Sequence, residues 1–193
     1  MGKLLVFLYE DMADFEITYA THLMGTSGAK EIVTIAYENK IVKSKCGLTY
    51  TVAKTVKEAL NDVDVEGLLI PGGWNGEIRE ELMILINKLF DENKLLAAIC
   101  AGPRFFAKAG ILDKVKYTTS LENWGESQID LFKEEKDPFP RENYVKTRVI
   151  RDKNVITSQG YAFVDFAIEI CDWFKLFNNE KEKNDYLNFI NNN

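Results

Sequence analysis

The chain has 193 residues, a length that supports one domain with a substantial core. Hydrophobic residues make up 46% and charged residues 28%, and 24 Lys and Arg stand against 30 Asp and Glu for a net charge of −6. That balance excludes the basic footprint of a nucleic-acid binder, and no apolar run reaches the roughly 20 residues of a membrane span.

Residues 3–9, KLLVFLY, form an unbroken apolar run, the mark of a strand buried on both faces. The acids that interrupt the amino-terminal stretch make it unlike a signal peptide, and Gly2 lacks the downstream Ser or Thr of a myristoylation site. The acid-rich turn EDMAD leads into a helix over 15–27 closed by Gly28, and EIVTIAY (31–37) is a second strand. IVKS and TYTVA flank KCGL as short edge strands or a hairpin. TVKEALNDVDVE holds a short helix, and GLLIPGG (67–73) is a third buried strand ending in a glycine turn. Residues 78–93 repeat apolar positions at helical spacing. KLLAAIC (94–100) is the fourth buried strand, and PRFFAKAG is a helix with Pro103 in its first turn and Gly110 near its end. KYTTS (116–120) suggests a strand tip, 121–143 a long polar loop with a short helix, and 144–160 a hairpin turning at 152–154. An amphipathic helix covers 163–177, and the Asn/Lys-rich tail over about 180–193 is expected to fray. Buried runs alternating with helices imply one domain over 1–193, an α/β three-layer αβα sandwich with a flavodoxin-like, mostly parallel sheet.

In such sheets, sites form at the carboxyl ends of the strands. Three segments converge there: residues 11–16, Gly72–Trp74 and Cys100–Pro103. A strand, a cysteine, small residues and a helix make a nucleophile elbow, in which a sharp turn exposes the side chain. A buried core thiol would leave the same local signal. The three cysteines (Cys46, Cys100, Cys171) are odd in number and have no metal-ligand spacing, so they read as free thiols of a cytosolic protein without a metal site. Cys46 and Cys171 read as structural.

The segments LLIPGGWNGE, AAICAGP and ADFE together resemble the ThiJ/PfpI family, known also through the parkinsonism-associated protein deglycase. That family belongs to the class I glutamine amidotransferase-like superfamily. The resemblance continues through GILDKVKYTTS and NVITSQGYAFVDFAIEI, and so spans nearly the whole chain. It implies that Cys100 is the nucleophile, that Glu16 approaches its thiol, and that Gly72 and Gly73 form the glycine turn. It also implies a homodimer. Many family members carry a histidine shortly after the strand that here reads KYTTS, where this chain has Ser120. The one histidine, His22, lies six residues beyond Glu16, about 240° around a helix and off the Glu16 face. The Cys-His dyad of a cysteine peptidase is therefore unsupported.

The expected function is a Cys100-dependent, cofactor-free enzyme acting on small carbonyl or acyl compounds, glyoxalase- or deglycase-like. Glu16 would be the acid/base partner of a thiolate-prone Cys100. Gly73 (or Gly72) and Ala101 would supply oxyanion-stabilising amides, and Trp74, Ser120, Asn123 and Trp124 are candidate pocket residues. The rivals are a redox sensor through Cys100 oxidation and a ligand-binding regulatory module that retains the elbow. Amidotransferase activity is disfavoured, since neither a His-Glu pair nor a synthetase domain is present.

Overall fold

The computed structural model describes residues 1–192. The first half of the chain runs β1 (Lys3–Phe7), α1 (Phe15–Thr26), β2 (Glu31–Ala36), β3 (Val42–Lys43), β4 (Thr49–Tyr50), β5 (Lys54–Thr55), α2 (Val56–Ala59), β6 (Val65–Ile70) and α3 (Glu80–Asp91). It continues with β7 (Leu95–Ile99), α4 (Pro103–Lys108), α5 (Glu126–Phe132), β8 (Val149–Asp152), β9 (Val155–Ser158), α6 (Phe163–Trp173) and α7 (Glu180–Asn192). Seven strands form one sheet in the order β5-β2-β1-β6-β7-β9-β8. Every pairing in it is parallel except β8 with β9.

The continuous apolar runs explain the layering. β7 and β9 are buried along their whole length, and β1 and β6 along nearly all of it, so both faces need cover. α1 and α6 pack together on one face, while α2, α3 and α4 associate on the other, as right-handed crossovers from this strand order require. Because these strands run in parallel, the loops after β1, β6, β7 and β9 emerge at one end of the sheet. The site is built there.

Several local expectations change. β3 and β4 do form a hairpin, but as a separate two-stranded sheet, and β5 adds an unforeseen edge pairing to β2. KYTTS is no strand: Tyr117 makes an isolated bridge to Tyr144. The hairpin over 144–160 joins the main sheet, because β9 also pairs with β7.

The expected fraying of the tail is replaced by helix α7. The Asn179 side chain accepts from the Glu182 amide at 3.0 Å, and the Glu182 carboxylate accepts from the Asn178 amide at 2.8 Å. Lys183 is buried against Glu169 and Asp172 of α6, and the Tyr186 hydroxyl lies 3.3 Å from that of Tyr19 on α1. Charge pairs, more than an apolar stripe, dock this segment, so its composition conceals it. Asn193 lies outside the described residues.

Candidate active site

Cys100 follows β7 with φ = 62°, in the left-handed region that costs a non-glycine residue about 1–3 kcal/mol unless its surroundings dictate it. They do. The Cys100 amide donates to the Ser158 carbonyl at 2.8 Å, and its carbonyl accepts from the Ser120 amide at 3.0 Å and the Thr119 hydroxyl at 2.6 Å. Gly102 allows the next turn to close, since a Cβ there would lie 2.8 Å from the Ile70 carbonyl oxygen and 2.9 Å from those of Ile99 and Pro71.

Glu16 is delivered by α1. Asp14 caps that helix, accepting from the Phe15 amide at 3.2 Å, and also accepts from the Tyr50 hydroxyl at 2.7 Å and the Cys46 thiol at 3.4 Å. Burial pushes the Asp14 carboxyl up, but hydrogen bonds from Tyr50, Cys46 and Ser44 outweigh it and hold the group below its ordinary value. Two residues on, Glu16 points inward and is 2% exposed. Its Oε2 accepts from the Gly72 amide at 2.7 Å, and its carboxyl hydrogen-bonds the Cys100 thiol.

The space between these groups exists because two glycines border it. A Cβ on Gly72 would lie 2.6 Å from Cys100 Cβ and 2.8 Å from Glu16 Oε2. One on Gly160 would lie 3.0 Å from Cys100 Sγ and 2.9 Å from Glu16 Oε1. Gly160 is a site residue that sequence reasoning missed; its one signal was its place in the family-like segment NVITSQGYAF. Its amide donates to the Ser120 hydroxyl oxygen at 2.9 Å, and Ser120 in turn hydrogen-bonds the Cys100 thiol.

Burial dominates the electrostatics of the pair. Burial raises the Glu16 carboxyl from 4.5 to about 7, against the pull of its bonds to Cys100 and Gly72. Burial, followed by the neighbouring Glu16 charge, raises the Cys100 thiol from 9.0 to about 12, against weaker help from Ser120 and the Ala101 amide. Burial thus favours the neutral form of both groups, and one hydrogen bond links them, so the carboxyl and the thiol titrate as a coupled pair.

The structure thus brings together Glu16, Gly72, Cys100, Ala101 and Ser120. The Gly72 amide is engaged by Glu16 and is not a free oxyanion donor, whereas the Gly73 amide has no hydrogen-bond acceptor among the described residues. Trp74 is half-exposed and its ring lies 5.6 Å from the Lys45 ammonium. Trp124 does not join the site: it stacks on Phe132 and donates through Nε1 to the Glu134 carbonyl at 3.0 Å, packing its own loop. Asn123 and His22 are exposed, and no described contact ties either to the thiol. Cys46 is exposed and Cys171 buried.

This constellation is matched by a family profile over residues 2–172, described as the DJ-1/PfpI family. The chain belongs to the DJ-1/PfpI family. Among its DJ-1/PfpI relatives, the "Uncharacterized protease YdeA" of Bacillus subtilis is 26% identical over 186 residues, covering 94% of this chain and 89% of that protein. The "Deglycase PfpI" of Pyrococcus furiosus is 29% identical over 122 residues, 62% of this chain and 72% of that one. Among solved structures, the DJ-1 superfamily protein Atu0886 from Agrobacterium tumefaciens superposes with a TM-score of 0.80 at 26% identity over the whole of both chains. Oxidised DJ-1 from Toxoplasma gondii shares the fold, with a TM-score of 0.74 at 20% identity over 96% of this chain and 95% of that one. Helix α7 lies beyond the part that the DJ-1/PfpI profile covers.

Proposed function

We propose that this protein uses Cys100 to attack small carbonyl compounds, as a glyoxalase- or deglycase-type enzyme. The observation that carries the reading is the pairing of a left-handed Cys100 with the buried Glu16 carboxyl, whose affinity for a proton lies near neutral. As the sulfur bonds to an aldehyde carbon, the thiol proton passes to the Glu16 carboxylate and the carbonyl electron pair moves onto oxygen. The Gly73 and Ala101 amides stabilise that alkoxide, and Glu16 returns the proton to it, closing a hemithioacetal. Membership of a family that includes proteins named deglycases supports this choice of substrate class. A homodimeric, cytoplasmic protein working without a cofactor completes the proposal.

The test is turnover of methylglyoxal. Activity in the wild type that is lost in Cys100→Ser supports the enzyme; none in either sinks it. A second reading, redox sensing through Cys100, is favoured by Ser120, which holds the thiol but is no base at neutral pH. Selective peroxide oxidation of Cys100 without turnover would favour that reading. Peptide hydrolysis is not expected, since no histidine stands beside Cys100 to protonate the leaving amine, the one histidine being the exposed His22.

A further inference from the structure

Away from Cys100, Arg104 on α4 is a buried charge with few protein partners. It is 1% exposed, yet among the described residues its guanidinium makes one hydrogen bond, to the Asn75 carbonyl at 3.4 Å. The Glu134 carboxylate stands 3.6 Å from Nη1, too far for a hydrogen bond. The rest of the group is flanked by the Phe132 and Phe105 rings, at 4.3 Å and 5.4 Å. A guanidinium carries five donors, and no fully buried side-chain nitrogen among the described residues lacks a partner, so the rest of this group reaches the cavity that Arg104 lines. Burial accordingly pushes the Arg104 pKa down, only partly offset by Glu134.

Those donors border a cavity of about 270 Å³, lined also by Gly76, Lys108, Phe132, Lys133 and Glu134. Lys133 has no ion-pair partner among the described residues, and its φ of 55° is strained for a lysine. That left-handed turn at the end of α5 sets residues 133 and 134 on the cavity wall. Lys108 is paired to Glu134, so three cations face one carboxylate. A second cavity of about 220 Å³, lined also by Lys136 and Asp137, lies across the same Lys108–Glu134 pair. The excess of positive charge is confined to the first cavity, on a chain of net charge −6.

We propose that the cavity bounded by Arg104, Lys108 and Lys133 binds a small phosphate-type oxyanion, with Glu134 as the internal anion that gives way. A planar guanidinium fork at the cavity wall matches tetrahedral oxyanions, and flanking lysines add charge without demanding geometry. The cavity's size fits inorganic phosphate or a small phosphate monoester.

The experiment titrates the full-length protein at pH 7 with inorganic phosphate and, separately, with glycerol phosphate, by calorimetry and thermal shift. Sodium chloride matches the ionic strength throughout. Saturable binding and a raised melting temperature are expected, with the tighter of the two ligands showing whether free phosphate or a monoester is the intended source. Lys108→Ala and Lys133→Ala should each weaken binding by about two- to fivefold. Glu134→Gln removes the competing carboxylate and should tighten it; a merely structural Arg104–Glu134 pair would instead lose stability that phosphate does not restore. Lys133 is exposed, so its variant remains informative if a change at Arg104 prevents folding. No saturable binding in either the wild type or Glu134→Gln up to about 50 mM ligand, or binding unchanged by both lysine variants, would overturn the proposal.

Discussion

Replacing Glu16 with glutamine should change how stability depends on pH, and the size of the change follows from the burial of that carboxyl. Its pKa rises from 4.5 in a free chain to about 7 in the folded protein. Between those values the folded state holds a proton that the unfolded state has released. Stability from this group is therefore complete below the unfolded pKa and is lost as pH rises through the folded one. At about 1.36 kcal/mol per tenfold change in proton affinity, the loss reaches roughly 3 kcal/mol by pH 8. Glutamine keeps an acceptor for the Gly72 amide and offers its NH₂ to the Cys100 sulfur, but it cannot ionise. Urea unfolding of both proteins from pH 5 to pH 8 tests this. The wild type should lose stability relative to Glu16→Gln as pH rises, while Cys100, pushed up to about 12, adds no slope in that window. Two parallel stability curves would refute the reasoning, because Glu16 would then ionise in the folded protein as it does in water.

Gly160→Ala drives a methyl into Cys100 Sγ and Glu16 Oε1, so alkylation of Cys100 by iodoacetamide should slow by about tenfold or more. Peptide mass mapping over time reads this out, and an unchanged rate would mean that the glycine does not shape the site. Lys183→Met leaves Glu169 and Asp172 with Arg151 alone, and should lower stability by about 2 kcal/mol in urea unfolding. Asp14→Ala removes a helix cap and the Tyr50 acceptor and should cost about 1–2 kcal/mol at neutral pH. Because the Asp14 pKa is depressed, its contribution is present above the unfolded value and the gap should shrink as pH falls through the carboxylate range.

Much of the site could be read from the sequence because its signals are local. A strand run that ends in Cys100 and small residues, a glycine turn after the preceding strand, and an acid at the start of α1 each follow from residue types within a few positions. Gly160 left no such mark, since its role is the absence of a side chain beside a sulfur 60 residues earlier in the chain. The thiol's raised pKa was hidden for a related reason: a helix start at 103 suggests a stabilised thiolate, but burial by distant segments outweighs it. Trp124 shows the opposite error. In isolation an aromatic in a long loop suggests a pocket wall, yet Phe132 and the Glu134 carbonyl supply its partners within the same loop. Helix α7 escaped because Asn and Lys dominate its sequence, and its anchors are carboxylates on α6.

The bond from the Cys100 amide to Ser158 means that the site around Cys100 is assembled late. A ribosome that has released the chain only through α4 has made the thiol and Glu16, but not β9, Ser120 or Gly160, which hold the elbow and line its far side. Until they arrive, nothing holds residue 100 in its left-handed turn, and the thiol is an ordinary one on an unfinished strand end. The geometry around Cys100 is thus tied to completion of the chain's synthesis. A nascent or prematurely terminated chain cannot present the assembled site, and the appearance of Glu16-dependent reactivity at Cys100 would mark when β9 takes its place beside β7.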